Sequence, residues 1–503
     1  MTAFAEVPAL LIPIDSRLAE PLYRQVYRGI REAILSGRVP AGVRLPSTRR
    51  LAAELDVSRS TVLLAFDQLV AEGYTVGAVG SGSYVAHQIP DHLSRVRPET
   101  RTTGPTRQVP GRVAARAVKL QGILRPPRRF YPGAFWPGVP PVDQFPLALW
   151  SRLATRCYRD LPVSQLYHGP AAGHPPLRTA IAEYLTAARG TRCTPEQVIV
   201  LSSAQEALEL ACRVLLDPGD VAWLEDPSWT GVHGAMISAG ASVQHVPVDA
   251  DGLVVEEGIA GAPHARLAYV SPSHQFPSGV TMSLERRLAL LDWAAQSGAW
   301  ILEDDYDSEF RYTGRPLAAL QGLDTAGRVL YIGTFNKILF PSLRIGYVVV
   351  PENLARDFIA VRRLGGQHAP TIHQAILADF ISEGHYARHL RRLRIVCRER
   401  RDALLDAVGR HLPGLLDISS AETGLHAVGW LPPGADDVLA SSRAAEHGIE
   451  AGALSSYYAN QCPRPGLVLG YGGLRPREID GGMRRLAEAL RTSGLEPFEP
   501  IGH

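Results

Sequence analysis

Apolar residues recur at helical spacing through residues 21–36, at Leu22, Val26, Ile30, Ala33 and Ile34, until Gly37 breaks the pattern. Ser47 stands where an N-cap belongs, before a short helix over residues 48–55. Asp56-Val57 turns the chain, Ser58 caps again, and a third helix runs to about Glu72, stopped by Gly73. Tyr74-Thr75-Val76 and Ser83-Tyr84-Val85 flank a glycine-rich stretch and predict a hairpin. Over residues 87–129 no sustained period is present, and Pro, Gly, Arg and Thr dominate. From Phe130 onward short apolar runs (198–201, 221–224, 268–270, 300–302 and 329–332) alternate with helical patterns such as 204–216. This alternation predicts an α/β region, a mostly parallel sheet with helices on both faces and ligands at the carboxyl ends of its strands.

Three helices with a tight turn between the last two, then a hairpin, describe a winged helix-turn-helix over residues 1–87. Its third helix would enter a major groove and present Ser58, Arg59, Ser60 and Thr61 to base edges and phosphates. Arg44, Arg49 and Arg50 lie where the preceding helix would meet the phosphate backbone. Residues 88–129 read as a basic flexible linker whose only acids are Asp91 and Glu99, a tether with weak phosphate contact. Residues 130–503 form the second globular region, with a large part at about 160–390 and a smaller α/β part at about 391–503.

At 503 residues the chain is too long for one core, which agrees with this division. A net charge of +2 favours no partner by itself; the arginines of the first ninety residues and the linker do. Five cysteines, far apart and without metal-ligand spacing, read as free thiols in a reducing compartment. No leader pattern and no apolar run near about 18 residues is present, so a cytoplasmic protein without a membrane partner is expected.

Candidate chemistry gathers at the predicted strand ends. After the run 329–332 come Gly333, Thr334, Asn336, Lys337 and, seven residues later, Arg344. An amine among apolar neighbours has its charged form disfavoured and can condense with an aldehyde. Thr334 and Arg344 suit an anion, one as a hydroxyl donor and the other as a planar fork. An aldehyde that carries a phosphate and takes a lysine is pyridoxal 5'-phosphate. Four further strand ends supply matching groups. Ser202-Ser203-Ala204-Gln205 opens a helix and can cradle phosphate. Trp229, on the loop after the second run, can cover a flat ring. The polar turn from Ser271 to Gly279, with Gln275 as its candidate, can reach a ring hydroxyl. Glu303-Asp304-Asp305-Tyr306-Asp307 sets a carboxylate where it can keep a pyridine nitrogen protonated.

Leu45-Pro46-Ser47-Thr48-Arg49-Arg50-Leu51-Ala52, Val57-Ser58-Arg59-Ser60-Thr61-Val62 and Gly80-Ser81-Gly82-Ser83-Tyr84-Val85 resemble the GntR-type winged helix. The later region resembles the aspartate-aminotransferase-like enzymes of fold type I, through Tyr167-His168-Gly169-Pro170, Pro272-Ser273-His274-Gln275-Phe276-Pro277, Glu303 to Phe310 and Leu469-Gly470-Tyr471. The two together look like a MocR-family transcription regulator. The resemblance implies that Lys337 forms an internal aldimine, that Asp304 pairs with the pyridine nitrogen, and that Tyr306 reaches the ring hydroxyl. It further implies that Trp229 stacks on the ring, and that Ser203, Ala204, Gln205, Thr334 and Arg344 hold the phosphate. Tyr167 matches the tyrosine that reaches a neighbouring subunit's cofactor, which implies a homodimer. Asn336 replaces the family's more frequent serine, and Arg464 is the candidate for an effector carboxylate.

Two functions share these residues. One is a regulator of an operator in double-stranded DNA that senses a small amine or amino acid by external aldimine formation at Lys337. The other is an active class I/II aminotransferase with an accessory DNA-binding arm. Arg49 and Arg59 at a groove-reading helix favour the first.

Overall fold

The computed structural model describes residues 12–78, 82–89, 111–123, 133–313, 317–366, 368–418 and 421–492. The turn of the wing at 79–81 and the linker residues 90–110 and 124–129 lie outside these. The chain divides into two compact units, Met1–Gly111 and Arg112–His503.

In the first unit the helices are Leu22–Leu35, Thr48–Glu54 and Arg59–Ala71. The stripe Val26, Ile30, Ala33 and Ile34 is buried against Val62, Phe66 and Leu69 of the third helix. Both expected caps form: Ser47 Oγ accepts from Arg50 N–H at 3.3 Å and Ser58 Oγ from Thr61 N–H at 3.1 Å. Strand β1 (Thr75–Ala78) pairs antiparallel with β2 (Gly82–Val85), Thr75 opposite Val85.

The second unit is built on β3 (Val198–Leu201), β4 (Val221–Asp226), β5 (Ser242–Asp249), β6 (Gly252–Leu253), β7 (Leu267–Val270), β8 (Trp300–Asp305), β9 (Val329–Thr334) and β10 (Gly346–Val349). They form one sheet in the order β3-β10-β9-β8-β7-β4-β5-β6. The pairs from β5 through β4, β7 and β8 to β9 are parallel, while β10 and β6 run antiparallel to their neighbours. Strands β3, β7, β9 and β10 are buried at every position, which is why they read as continuous apolar runs rather than alternating ones. In the register of β8 on β9, Asp304 lies opposite Ile332 and Asp305 opposite Gly333. The acidic run and the lysine loop therefore leave the sheet at the same edge, side by side.

A 27-residue helix, His385–His411, leads into a small antiparallel sheet of β11 (His426–Trp430), β12 (Gly452–Ala453) and β13 (Gly466–Gly470), ordered β11-β13-β12. Inside the stretch expected to be a linker, Ala115–Ile123 is a helix. Its Leu120 lies within ordinary contact distance of Gly234 in helix Thr230–Ala239, 3.6 Å from where a Cβ would stand. The nine residues carry too short an apolar pattern to stand out in sequence; the surface of the neighbouring helix supplies the rest.

Candidate cofactor site and nucleic-acid interface

A cavity of about 810 Å³ opens at the carboxyl ends of the parallel strands. Lys337 stands on its wall, and its Nζ donates to Gly138 O at 2.7 Å. Burial lowers the pKa of this amine, with Asp307 and Asp304 pulling the other way. Asp304 Oδ2 accepts from Tyr269 Oη–H at 2.7 Å, while Oδ1 is buried with no partner among the described residues. Burial pushes Asp304 up to about 7; the Tyr269 bond and Lys337 lower it, and Asp305 and Asp307 raise it. A buried acceptor left unpaired is costly, and a protonated ring nitrogen is a donor that would satisfy it.

At the other end of the cavity Ser203 caps helix Ala204–Leu215, its Oγ accepting from Glu206 N–H at 3.1 Å. The hydroxyl thus serves the helix, and the first-turn amides of Ala204 and Gln205, which an α-helix cannot pair internally, are the groups available to an anion. The Gln205 side-chain amide is used within the fold, donating to Gly231 O at 3.1 Å and Glu209 Oε1 at 3.0 Å. Thr334 ends β9, and its Oγ1 accepts from Asn336 N–H at 3.2 Å. Asn336 Oδ1 accepts from Ile345 N–H at 3.3 Å, so this asparagine braces the loop between the lysine and Arg344. Arg344 is exposed at the rim with φ 56°, and Trp229 forms wall where it caps helix Thr230–Ala239. Hydroxyl, amide and guanidinium groups lining one cavity together with an amine and an unpaired carboxylate oxygen fit pyridoxal 5'-phosphate.

Ser203, Ala204, Gln205, Trp229, Asp304, Tyr306, Thr334, Lys337 and Arg344 all line this one cavity. Three candidates do not. Gln275 is buried in the turn it was expected to present: Nε2 donates to Glu225 Oε2 at 3.2 Å and Pro227 O at 2.7 Å, and Oε1 accepts from the Ser278 amide and hydroxyl at 3.1 and 2.6 Å. With its side-chain atoms spent on tying the turn to the end of β4, it yields the wall to its neighbour Phe276. Arg464, the candidate for an effector carboxylate, lies with its guanidinium 5.0 Å over the Trp430 ring and is not in the cavity lining. Tyr167 is 74% exposed and outside its own chain's cavity.

The sequence reading missed Trp136, Pro137, Gly138, Phe276 and His426, all on the wall. The Trp-Pro-Gly triplet hints at a turn over an aromatic, but nothing local brings it to an amine 199 residues away. That segment is held by β13: Gly470 N–H donates to Phe135 O at 2.8 Å. A Cβ at Gly470 would collide with the Trp136 carbonyl and stand 2.7 Å from Pro137 Cα. Gly470→Ala should therefore lift Trp136–Gly138 away from Lys337, costing about 1–3 kcal/mol of stability. A lowered thermal midpoint together with weaker cofactor retention is the expected result; an unchanged protein would mean the segment does not press on β13.

On the first unit, Arg49, Arg59 and Ser60 are exposed along one helix start and the helix before it. Arg59 Nε reaches Thr48 Oγ1 at 3.5 Å, a long contact. Ser58 Oγ lies 2.8 Å from both Ser60 Oγ and Thr61 Oγ1, so these hydroxyls cluster at the cap. Arg50 is tied to Glu54 at 2.8 Å, and the Arg44 guanidinium folds over Gly82 of the wing. Leu63 and Leu64 continue the exposed face one turn on, a feature the sequence reading did not single out.

Residues 165–462 match the family described as aminotransferase class I and II, and residues 22–85 match the bacterial regulatory proteins of the gntR family. The probable rhizopine catabolism regulatory protein MocR of Rhizobium meliloti is 40% identical over 497 residues, covering 97% of this chain and 98% of that protein. The pyridoxine biosynthesis transcriptional regulator PdxR of Corynebacterium glutamicum is 33% identical over 475 residues, 93% of this chain and 95% of that one. Among solved structures, kynurenine aminotransferase of Pyrococcus horikoshii is 26% identical with a TM-score of 0.67, covering 76% of this chain and 95% of that chain. The α-aminoadipate aminotransferase LysN of Thermus thermophilus is 28% identical with a TM-score of 0.66, covering 76% and 95%.

Proposed function

The chain belongs to the MocR-type transcription regulators, which join a gntR-type helix-turn-helix to an aminotransferase class I and II domain, and from that premise we propose that it senses a small amine or amino acid through pyridoxal 5'-phosphate held at Lys337. The observation that carries this reading is one cavity holding both a half-buried amine with a depressed pKa and a buried carboxylate oxygen that has no partner among the described residues. When bound, the cofactor supplies an aldehyde that condenses with amines and a protonated ring that draws electrons toward itself.

Asp304 would hold the ring nitrogen, Trp229 would cover the ring, and Tyr306 would face its hydroxyl. The backbone amides of Ala204 and Gln205, with Ser203, Thr334 and Arg344, would hold the phosphate. Lys337 offers the amine that an aldehyde requires, its charged form disfavoured by burial, and Gly138 O accepts a hydrogen bond from it. Trp136, Pro137 and Phe276 complete the apolar part of the wall. An effector that binds one domain arrangement better than another shifts the population toward it, and the winged helices are thereby repositioned on operator DNA. Val163, Leu166 and Tyr167, each about two-thirds exposed or more, support a homodimer in which Tyr167 reaches the neighbouring subunit's cavity. Among the described residues no helix is long and apolar enough to cross a membrane and the cysteines are unpaired, which supports a cytoplasmic regulator.

The likeness to solved aminotransferases favours a second reading, turnover with an accessory DNA-binding arm. A visible absorption titration with a panel of amines and amino acids, run beside a DNA-binding assay, separates the two. The sensor reading expects one compound to shift the band and DNA affinity together with little keto product. Steady turnover with indifferent DNA binding would establish the enzyme instead.

A further inference from the structure

Behind Tyr306 lies a buried pair that the function above does not use. His274 Nδ1 is 3.1 and 3.0 Å from the two Asp307 oxygens and 3.1 Å from the Tyr306 hydroxyl. Asp307 Oδ2 also accepts from Leu425 N–H at 3.3 Å. An ionised carboxylate only accepts, so the proton between His274 and Asp307 is on Nδ1. A nitrogen that carries its proton cannot accept one, so the Tyr306 oxygen is on the receiving side of that N–H and its own hydrogen is free to point elsewhere. Burial holds the Tyr306 phenol well above its ordinary pKa, which keeps that hydrogen in place.

The pair is gripped by the C-terminal subdomain. Gly424 has φ 79°, and a Cβ there would strike the His274 ring and stand 2.8 Å from Asp307 Oδ2. His426, at the start of β11, packs its ring centroid 4.8 Å from that of His274 and bonds through Nε2 to Pro277 O at 3.2 Å. The titratable groups packed around Tyr306 and His274 are Asp304, Asp305, Asp307, Glu225, His426 and, beyond His426, Lys337.

We propose that His274 and Asp307 are positioning residues that aim the Tyr306 hydroxyl proton into the cavity and tie that phenol to the segment leading into β11. This rests on the reading of the cavity as a pyridoxal phosphate site. A donated hydrogen bond favours the ionised form of the ring oxygen, so losing it raises the pH midpoint of the cofactor's colour change.

The test uses the full-length, cofactor-loaded protein and the absorbance midpoint against pH, a readout independent of turnover. Tyr306→Phe and Asp307→Asn should each raise the midpoint by about one pH unit, and the double variant should go no further. Loss of the Asp307 charge acting only through space would do the opposite, since a nearby carboxylate favours protonated, cationic groups. A lowered or unchanged midpoint in Asp307→Asn, or an equal shift when Tyr306 is already Phe, therefore overturns the proposal. His274→Leu, which has no N–H to donate, should follow Asp307→Asn; thermal melts and retained DNA binding check that each variant is folded. Absence of any visible band in the loaded wild type would instead overturn the cofactor reading, and this inference with it.

Discussion

Lys337→Ala is expected to abolish the visible absorption of the cofactor-loaded protein and its response to every effector, while DNA affinity stays within about twofold of wild type. The size of the first effect follows from the site. Lys337 contributes the amine on the cavity wall, and its replacement leaves the phosphate end intact but removes the group that would hold the aldehyde. Weak, phosphate-directed retention through Thr334, Arg344 and the helix at Ala204 should survive, so dialysis would strip cofactor from the variant but not from the wild type. The insensitivity of DNA binding follows from the division of the chain into two units, with Ser58–Thr61 and Arg59 in the one that lacks this site. Absorption titration and fluorescence anisotropy on the same preparation check both halves. A variant that loses DNA binding as well would show that cofactor occupancy is required for the DNA-competent state, a stronger coupling than a population shift between two binding states.

The sheet and its ligand-bearing edge were legible because buried parallel strands are short apolar runs, although β8 carries on through Glu303, Asp304 and Asp305 and β9 through Gly333 and Thr334 before the chain leaves the sheet. The cap serines were legible for the same local reason, since Ser47 and Ser58 act on amides three residues away. What was hidden lies on contacts between distant segments. Trp136–Gly138 reaches Lys337 only because β13 holds it there, and His426 meets His274 from a different subdomain. Gln275 lies on a ligand-side turn but spends its side-chain hydrogen bonds on that turn and on the end of β4, which no pattern of residue types records. The stacking of Arg464 over the Trp430 indole was hidden for a related reason: an arginine beside an apolar strand can meet an indole face as well as a carboxylate.

Arg59→Ala should weaken operator binding by about 10- to 100-fold, the loss of one guanidinium contact worth about 1–3 kcal/mol, and leave the cofactor spectrum unchanged. Arg59 is the first residue of the third helix, directly after the Ser58 cap, where a recognition helix meets base edges. Its contact with Thr48 Oγ1, at 3.5 Å, is too long to compete strongly with a base or phosphate. Arg50, by contrast, already pairs with Glu54, so Arg50→Ala should cost less. Measuring affinity at several salt concentrations tells the two possible contacts apart. If Arg59 meets a base edge, operator affinity falls while binding to random DNA and the salt slope hold steady. If it meets a phosphate, both affinities fall and the slope drops by about one. An Arg59→Ala protein that binds operator as tightly as wild type would remove the third helix from the reading element and leave Arg44, over the wing, as the arginine to examine next.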